Sequence, residues 1–480
     1  MPKSKKDSDR ERLSPWGASI LERLARAAEL RILVDRGNGM GHQSASIQLA
    51  RRIIARAGIT SASRLTLTFV YPTNSEKQKI EKLAPGGRLG GVAYRMLSEQ
   101  EVQRESWIDF GFTGGSDRPS TEDMTGVVKS RYFVKLQPFR WHQDEVIQCN
   151  DSYLSSTSTD VIGSHPAMEN VEYENSWYPS DPIPVPDWSD VSGNRAALKA
   201  VVDAALGTRR VSAVHRQRLL LWPIYGIGSN NPFGEETYRL LTNMVRGAAA
   251  ARADGTWEGS VLIVDLSQDR KEDGWKRAYE QLTEHFEDVY VQQLESVPTL
   301  LGTMRLKSSG RPFIGICHIS GGKPNDLMRY IYDICDLPPV FEGQGTASDV
   351  VPLGKPFLKP SMRYMAKQKV RLTPRPSDYD YMPLAGYETT AKRWQEMANH
   401  LIEEEMEPAE LVAFLEDAIS PGSASDRYFK AVGSACGDPT GDRLTMALGL
   451  LGILRENSAE RAKGIHSMIR FDHTGSPARI

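Results

Sequence analysis

The sequence predicts an α/β protein with two domains and extra C-terminal helices. At 480 residues, the chain is longer than one hydrophobic core usually organises. Hydrophobic residues make up 40% of it and charged residues 25%, as in ordinary globular proteins. Two separate series of short β-type runs alternate with helical stretches, and this alternation is typical of mostly parallel sheets covered by helices.

The elements of the two series follow one another along the chain. In the first series the strand candidates lie at 31–35, 65–71, 107–112, 132–136 and 160–162, and the clearest helix at 44–57. In the second series the strand candidates lie at 218–222, 260–266, 289–292 and 312–316. Helical patterns fill 390–405, 408–418 and 442–455. The architecture therefore repeats without a repeated sequence.

Composition shifts divide the chain into parts. We expect a flexible N-terminal segment at 1–28, an N-terminal domain at 29–165, a connector at 166–214, a C-terminal domain at 215–380 and a helical region at 381–480. The connector is rich in Pro, Ser, Asp, Tyr and Trp, and its four prolines between 178 and 187 forbid a regular helix there.

Charge and cysteine usage exclude several classes of protein. A formal net charge of -2 gives no global reason to expect nucleic acid or an anionic membrane as the main partner. The four cysteines are scattered and form no CxxC pair, which indicates reduced thiols in a cytoplasmic protein. The polar N-terminus lacks a secretory signal, and the longest apolar run, 444–454, is too short to span a bilayer. Peripheral membrane contact stays open.

The first of three informative loops follows the first strand candidate. It contains Gly37, Asn38, Gly39, Met40 and Gly41, followed by a histidine, His42. Glycines allow positive φ and close backbone approach, and the N-terminus of the next helix offers N–H groups to an anion. The spacing Gly-x-Gly-x-Gly-His does not match the Gly-x-Gly-x-x-Gly of a Rossmann dinucleotide site. The alternative is a tight connection without a ligand.

The second loop follows the first strand candidate of the second series. Gly226, Gly228 and Ser229 can present backbone N–H groups and a hydroxyl to phosphate oxygens. The neighbouring Asn230, Asn231 and Pro232 serve equally well as ordinary turn residues, so this loop alone is a weak signal.

The third loop is the most specific. It reads Gly343-x-x-Thr346-x-Ser348-Asp349, four residues, then Gly354-x-Pro356. This pattern resembles the donor-nucleotide motif of GT-B glycosyltransferases, and above all the Gly-x-x-Thr-x-Ser-Glu, four residues, Gly-x-Pro of the peptidoglycan N-acetylglucosaminyltransferase, a family 28 type. The alternative is a capped helix that ends at Gly354.

The resemblance implies a fold and a donor site. It implies two Rossmann-like domains that face a cleft, with the diphosphate held by Gly343, Gln344, Gly345 and Thr346 and the ribose hydroxyls by Asp349. The chain departs from the family because Asp349 is one methylene shorter than the usual Glu. The pair Pro338-Pro339 also interrupts the strand expected before the loop, so that strand is short or lies at an edge.

The first loop resembles the family's acceptor-side loop, which ends Gly-Gly-His, although here the ending is Met40-Gly41-His42. His42 is then the candidate general base, because an imidazole titrates near neutral pH, with phosphate binding or helix capping as its alternatives. His318 ends a strand and is a candidate ligand of the donor phosphate, or an ordinary strand-end histidine. Asp35 is expected to cap the helix, with contact to the acceptor or to phosphate as its alternative role.

These residues predict a glycosyltransferase that moves a sugar from a nucleoside-diphosphate sugar to an unidentified hydroxyl-bearing acceptor. The resemblance implies a hexosyl- or N-acetylhexosaminyltransferase without catalytic metal or other cofactor, and favours UDP-sugar over dTDP- or GDP-sugar. The alternatives are a sugar-nucleotide 2-epimerase of the same fold and a non-catalytic nucleotide- or glycan-binding protein.

Overall fold

The computed structural model describes the chain in segments. They are residues 5–37, 40–116, 118, 124–136, 153–156, 159–162, 185–186, 188, 193–211, 218–227, 235–266, 280, 282, 289–293, 312–319, 325–341, 344–360, 381, 384–437, 444, 447–453 and 455. The chain forms two compact units. Unit 1 comprises Met1–Asp181 and Ala435–Ile480, and unit 2 comprises Pro182–Ser434.

Unit 1 is built on a mostly parallel sheet. Its strands are β1 (Glu29–Leu33), β2 (Thr66–Tyr71), β3 (Arg88–Leu89), β4 (Val92–Ser98), β5 (Ile108–Thr113), β6 (Ser130–Lys135), β7 (Tyr153–Ser156) and β8 (Thr159–Ile162). Their order in the described sheet is β3-β4-β2-β1-β5-β6-β7-β8. The five central strands, β4, β2, β1, β5 and β6, run parallel. At the two sides of the sheet, β3, β7 and β8 pair antiparallel.

Helices of unit 1 pack apolar faces on this sheet. They are α1 (Lys5–Arg26), α2 (Gly41–Arg56), α3 (Asn74–Leu83), α4 (Glu99–Val102) and α5 (Met124–Val128). Ten residues of α2 are buried, and its Ile47 and Ile53 share one hydrophobic core with Ile32 and Phe69 of the sheet. The helical residues 447–453 join the same core through Leu448 and others.

The flexible segment expected at 1–28 is replaced by a helix over most of its length. Helix α1 spans Lys5–Arg26, and its Ile20 and Leu24 are buried in the core of unit 1. The polar start of the sequence suggested a tail, but the apolar positions after residue 16 are spaced to face the sheet domain. Burial of these side chains holds the segment in place.

Unit 2 has a fully parallel sheet in its described residues. Its strands are β9 (Leu220–Tyr225), β10 (Val261–Asp265), β11 (Val289–Gln293), β12 (Ile314–His318) and β13 (Val340–Phe341), in the order β11-β12-β10-β9-β13. The short strand β13 lies at the edge, as expected from Pro338-Pro339. Prolines have no N–H to donate, and here Pro338 and Pro339 instead accept bonds from Trp222 Nε1 and Leu358 N.

Unit 2 carries most of the helices of the second half. They are α6 (Gly193–Val211), α7 (Glu235–Ala253), α8 (Asn325–Ile334), α9 (Gln344–Val350), α10 (Glu388–Glu403), α11 (Pro408–Ile419) and α12 (Ala424–Gly437). Trp394 of α10 packs against Phe414 of α11 and Phe429 of α12, with ring centroids 4.4 and 4.6 Å apart. These aromatic contacts join the three helices in one apolar cluster.

The predicted class is confirmed, with two Rossmann-like α/β sheets and additional C-terminal helices. The sequence did not predict β4, because its side chains from Tyr94 onwards are only half-buried and include Arg95. The predicted connector 166–214 contains helix α6, which contacts α8 of unit 2. The predicted helical region 381–480 is divided, since α10 and α11 pack on α7 and residues 447–453 pack in unit 1. In the described chain, no helix is long and apolar enough to cross a membrane.

Candidate functional sites at the carboxyl ends of the strands

Both sheets have a point at which the strand order reverses. In unit 1, the chain runs from β1 outward to β2 and β4 on one side and to β5 and β6 on the other. In unit 2, β10, β12 and β11 lie on one side of β9, and β13 lies on the other. Ligands of open α/β sheets bind beyond the carboxyl ends of the strands at such a switch point. The first loop follows β1, and the second and third loops follow β9 and β13.

His42 stands in the first turn of α2, at the switch point of unit 1. Its Nδ1 lies 2.7 Å from the backbone oxygen of Arg36. A carbonyl oxygen only accepts hydrogen bonds, so Nδ1 carries the hydrogen, and in the neutral ring Nε2 carries the lone pair. The ring lies between two glycines, because a Cβ at Gly37 would lie 3.3 Å from Nδ1 and a Cβ at Gly115 would lie 3.1 Å from Cδ2.

The N-terminus of helix α2, beside His42, is not capped by the side chain of its N-cap residue. Met40 occupies the N-cap with φ -107° and ψ 6°, makes no capping hydrogen bond through its side chain, and is followed by no acidic residue in the first turn. Backbone N–H groups at such an end attract an anion or another acceptor. Asp35 does not cap this helix, contrary to expectation, because the helix begins six residues further along the chain, at Gly41.

Asp35 instead belongs to a charged network across the switch point. Its buried carboxylate accepts a hydrogen bond from Ser116 Oγ and two from Arg118 Nε, the latter at 3.1 Å to each oxygen. The other end of the same guanidinium binds Glu99. This network joins the ends of β1, β4 and β5, so that the loops after these strands are tied to one another.

A glycine pair after β5 brings the sheet edge against α2. A Cβ at Gly114 would lie 2.3 Å from the backbone oxygen of Ala45, so no larger residue fits without a shift of the helix. Gly114 N also donates to Ser46 Oγ at 3.0 Å, and Ser46 Oγ lies 3.3 Å from Thr113 Oγ1. This pair was missed in the sequence, although Thr-Gly-Gly-Ser directly after a strand is the same kind of signal as the first loop.

Two further buried polar side chains of unit 1 lie at this edge. Lys135 ends β6 with no exposed surface, and its Nζ donates to the backbone oxygen of Arg118 at 3.3 Å. Gln43 is also fully buried, and its Nε2 donates to the backbone oxygen of Asp35 at 2.7 Å. Within the described chain its Oε1 has no hydrogen-bond partner. Such an acceptor calls for a donor such as a hydroxyl.

In unit 2, the second loop begins with a glycine in a backbone conformation that other residues rarely adopt. Gly226 has φ +81°, a left-handed conformation that glycine adopts without strain. It follows Tyr225, the last residue of β9, at the switch point. The predicted loop residues Gly228 and Ser229 lie outside the described residues, as do Asn38 and Gly39 of the first loop and Gly343 of the third.

His318 ends β12 as expected, and it has a carboxylate partner that the sequence analysis did not single out. Its Nδ1 lies 2.8 Å from Oδ2 of Asp265, the last residue of β10. The two residues are register partners on neighbouring parallel strands, so their side chains leave the sheet on the same face. The available signal was an acidic residue at the end of the apolar run Val261–Asp265.

The third loop leads into a short helix, and Asp349 lies near its end. Helix α9 spans Gln344–Val350, with Gln344 and Gly345 in its first turn and Thr346 half-buried. The carboxylate of Asp349 is 5% exposed and lies 3.3 Å from Arg329 Nε of α8, an ion pair without hydrogen-bond geometry. The neighbouring Tyr332 has a pKa well above its usual value of 10.0 because of its burial and of nearby negative charge, including that of Asp349. The ribose role of Asp349 stays a prediction, with Arg329 already beside it.

The end of the third motif is held by a C-terminal helix. Gly354 has φ +64° and its backbone contacts α12, where a Cβ on Gly433 would lie 2.4 Å from the Cα of Gly354. Tyr381 Oη donates to Phe357 O at 2.9 Å and accepts from Lys359 N at 2.8 Å, while its ring stacks on Phe357 at 5.1 Å. These contacts fix the segment that follows α9.

The described residues contain no group of three or more His, Cys, Asp and Glu side chains placed to hold a metal ion. At the strand ends, the charged side chains form a network of Asp35, Ser116, Arg118 and Glu99 in unit 1 and the pair of Asp265 with His318 in unit 2.

Comparisons with known proteins give weak likenesses only. No protein-family model and no curated protein matches the sequence. Among solved structures, the chain is similar to an α,α-trehalose 6-phosphate synthase from Burkholderia multivorans at 13% identity, with 98% of this chain and 79% of that chain covered and a TM-score of 0.28. It is also similar to a UDP-forming α,α-trehalose-phosphate synthase from Burkholderia xenovorans in complex with glucose-6-phosphate, at 9% identity, 85% and 76% coverage and a TM-score of 0.31.

A third likeness is to an E. coli structure described as trehalose-6-phosphate bound with UDP-2-fluoro glucose. The identity is 9%, the coverage is 89% of this chain and 99% of that chain, and the TM-score is 0.34. Likeness at this level transfers neither an activity nor a substrate to this chain.

Proposed function

We propose that this protein is a glycosyltransferase. It moves a sugar from a nucleoside-diphosphate sugar, with UDP-sugar favoured, to a hydroxyl of an acceptor, and it needs no catalytic metal. The observation that carries the proposal is the placement of the loops. The glycine loop with His42 follows β1, and the donor-type motif follows β13, each at the switch point of its own sheet.

The donor binds to unit 2 in this proposal. Backbone N–H groups of Gly226, Gly228, Ser229 and residues 343–346 face the diphosphate, and His318 adds a side-chain contact. The leaving nucleoside diphosphate gains negative charge as the glycosidic bond breaks, so N–H dipoles aimed at it stabilise the transition state. The support is the left-handed Gly226 and the start of α9 at Gln344, both at the carboxyl edge of the sheet.

The acceptor binds to unit 1, where His42 is the proposed general base. A base must offer a lone pair, and the bond from Nδ1 to Arg36 O leaves the lone pair of the neutral ring on Nε2. The unsatisfied Oε1 of Gln43, next to His42 in the sequence, suits an acceptor rich in hydroxyl groups. With His42 taking the proton of the acceptor hydroxyl, that oxygen attacks the anomeric carbon on the face opposite the leaving nucleoside diphosphate, which favours inversion there.

Ligand-induced stabilisation tests the donor site first. We would measure the melting temperature of the full chain with UDP, dTDP and GDP and with their sugar conjugates, each with and without EDTA. A ligand at about 100 times its Kd stabilises the folded state by about 2.7 kcal/mol. We expect UDP and UDP-sugars to give the largest shift, unchanged by EDTA. If no nucleotide shifts the melting temperature, the glycosyltransferase proposal is wrong.

The ribose contact has its own test. A carboxylate that accepts from both ribose hydroxyls favours UDP over 2′-deoxy-UDP, and Asp349→Asn should remove that preference. The matched control is Asp326→Asn, because Asp326 of helix α8 also forms an ion pair with an arginine, Arg195 of α6. An unchanged preference in Asp349→Asn would mean that this carboxylate does not contact the ribose.

Product analysis separates the alternatives. Transfer or hydrolysis releases free nucleoside diphosphate and a sugar, and incubation with UDP-glucose and UDP-N-acetylglucosamine distinguishes hexosyl from N-acetylhexosaminyl donors. A 2-epimerase would change the sugar nucleotide without any acceptor. Tight binding with no consumption of either donor would favour a non-catalytic binding protein.

A further inference from the structure

Asp265 and His318 form a buried pair that the loop motifs do not explain. Asp265 has no exposed surface, and His318 is 4% exposed. A carboxylate removed from water costs several kcal/mol unless it is paired and hydrogen-bonded. Here the imidazole Nδ1 of His318 lies 2.8 Å from Oδ2 of Asp265.

The position of the pair is that of a ligand site. Both residues are the last of their strands, and the strands β12, β10 and β9 are consecutive in the sheet. Neighbouring strands lie about 4.8 Å apart, so His318, Asp265 and the Tyr225-Gly226 turn occupy one stretch of the carboxyl edge. A pair with only a packing role could lie anywhere along the two strands, whereas this pair lies at their carboxyl ends.

The hydrogen bond between Asp265 and His318 determines which ring nitrogen of His318 lies away from the carboxylate. A carboxylate only accepts, so Nδ1 of His318 carries a hydrogen, and Nε2 is the ring nitrogen on the side away from Asp265. When Nε2 also carries a proton, it donates to an anionic oxygen, and the Asp265 carboxylate stabilises the resulting cation, as in other carboxylate–histidine pairs.

We propose that Asp265 is a positioning residue that holds His318 so that Nε2 binds the diphosphate of the donor nucleotide. This inference rests on the proposed function and adds to it a residue and an atom. The carboxylate fixes the ring orientation in advance, so that less freedom is lost when the nucleotide binds. The hydrogen bond to phosphate is charge-assisted and therefore among the stronger ones.

Side-chain amides that mimic one ring nitrogen at a time provide the test. His318→Asn places an amide nitrogen near the position of Nδ1 and lacks Nε2, whereas His318→Gln reaches the position of Nε2. We would titrate wild type, both variants and Asp265→Asn with UDP and with uridine, which lacks the diphosphate. Asp336→Asn is the control, since Asp336 is a buried carboxylate of the same unit that binds Leu221 N and Arg209.

The expected result is selective for the diphosphate. His318→Asn should lose about tenfold to a hundredfold in affinity for UDP, with uridine unchanged. His318→Gln should retain most of the affinity, and Asp265→Asn should lose about threefold to tenfold for UDP only. In Asp265→Asn, the ¹⁵N chemical shifts of the His318 ring should also change, because a different ring nitrogen carries the proton. If the pair had only a structural role, this change would not be accompanied by a loss of UDP affinity.

Three other outcomes would overturn the inference. Equal losses for UDP and uridine, or normal UDP affinity in His318→Asn, would show that the pair has only a structural role while nucleotide binding by the wild type still stands. If the wild type binds neither UDP nor dTDP nor GDP, the proposed function fails, and the role of Asp265 and His318 fails with it.

Discussion

The switch points of the two units differ in how their polar side chains are held. In unit 1, Asp35, Ser116, Arg118 and Glu99 form one network that joins three strand ends. In unit 2, the described strand ends carry the pair of Asp265 with His318, and the end of the third loop is held by α12 where Gly433 meets Gly354. A connected network fixes several loops at once, whereas a pair joins two strand ends. We therefore expect the loops of unit 1 to be held by their own side chains, and the proposed donor site in unit 2 to depend on the C-terminal helices.

The largest expected effect concerns the base in unit 1. His42→Asn keeps an amide donor for the Arg36 carbonyl and removes Nε2, so we expect turnover of the donor sugar to fall by about 10²–10⁴-fold. The measurement is steady-state release of nucleoside diphosphate, with UDP affinity determined in parallel. His400→Asn on α10 is the matched control, because its ring is exposed and lies 3.5 Å from Glu404, the residue that follows the helix. Normal turnover in His42→Asn would remove the base from unit 1.

A second comparison concerns the glycines that bring backbones together. Gly114→Ala in unit 1 and Gly433→Ala in unit 2 each place a Cβ within 2.4 Å of a backbone atom. We expect each variant to lose about 1–3 kcal/mol or more in the free energy of unfolding, since backbone cannot move aside cheaply. Gly207→Ala in α6 is the control, because nothing lies within 4 Å of its added Cβ, and it should gain about 0.4–1 kcal/mol.

Only one of the two glycine variants should affect the donor site at a distance. Gly433 contacts Gly354 at the end of the third motif, so UDP affinity should fall in Gly433→Ala at temperatures where the variant is folded. In Gly114→Ala, UDP affinity should be unchanged. A loss of UDP affinity in both variants would contradict the assignment of the donor to unit 2.

The carboxylates of the two sites provide a smaller contrast. Asp35 accepts from Ser116 and from Arg118, whereas Asp349 has an ion pair without hydrogen-bond geometry. We expect Asp35→Asn to cost about 1–3 kcal/mol of stability and Asp349→Asn to cost less, because the Arg329 guanidinium that loses its carboxylate is partly exposed to water. Urea unfolding, followed by hydrogen exchange in each unit, measures both. The reverse order would mean that the network in unit 1 does not hold its loops.

The smallest expected effect is a pH dependence in unit 1. Burial acts to raise the pKa of Glu29, but hydrogen bonds from Arg31 and Thr68 outweigh it and bring the pKa below its usual 4.5. A lowered carboxyl pKa contributes stability that is fully present above pH 4.5 and is lost as the pH falls through the pKa of the folded state. Glu29→Gln should therefore show a shallower loss of stability below pH 4.5 than the wild type. Identical slopes in acid titrations would contradict this.

The sequence predicted the elements whose signal is local. Strands such as Val261–Asp265 are continuous apolar runs, and the two prolines before Val340 predicted a strand that is short or lies at an edge. The half-buried β4 and the helix α1 were missed, because their packing depends on partners that are distant in the sequence. The same distinction applies to the sites.

His42 and His318 could be found because each is an ionisable residue beside a strand end. The partner of His318 could not, since Asp265 lies 53 residues before it and meets it only through the strand order. Arg118 likewise reaches Asp35 across 83 residues. The predicted capping role of Asp35 was wrong for the same reason, because a local pattern does not show that a carboxylate has a stronger partner elsewhere.

Hydrogen exchange of the full chain with and without UDP tests the central claim most directly. If unit 2 binds the donor, UDP should slow exchange at the carboxyl ends of β9, β10 and β12 and in residues 341–354, with little change in residues 35–43 and 113–118. Protection confined to the loops of unit 1, or no protection in either unit, would contradict the assignment of the donor site.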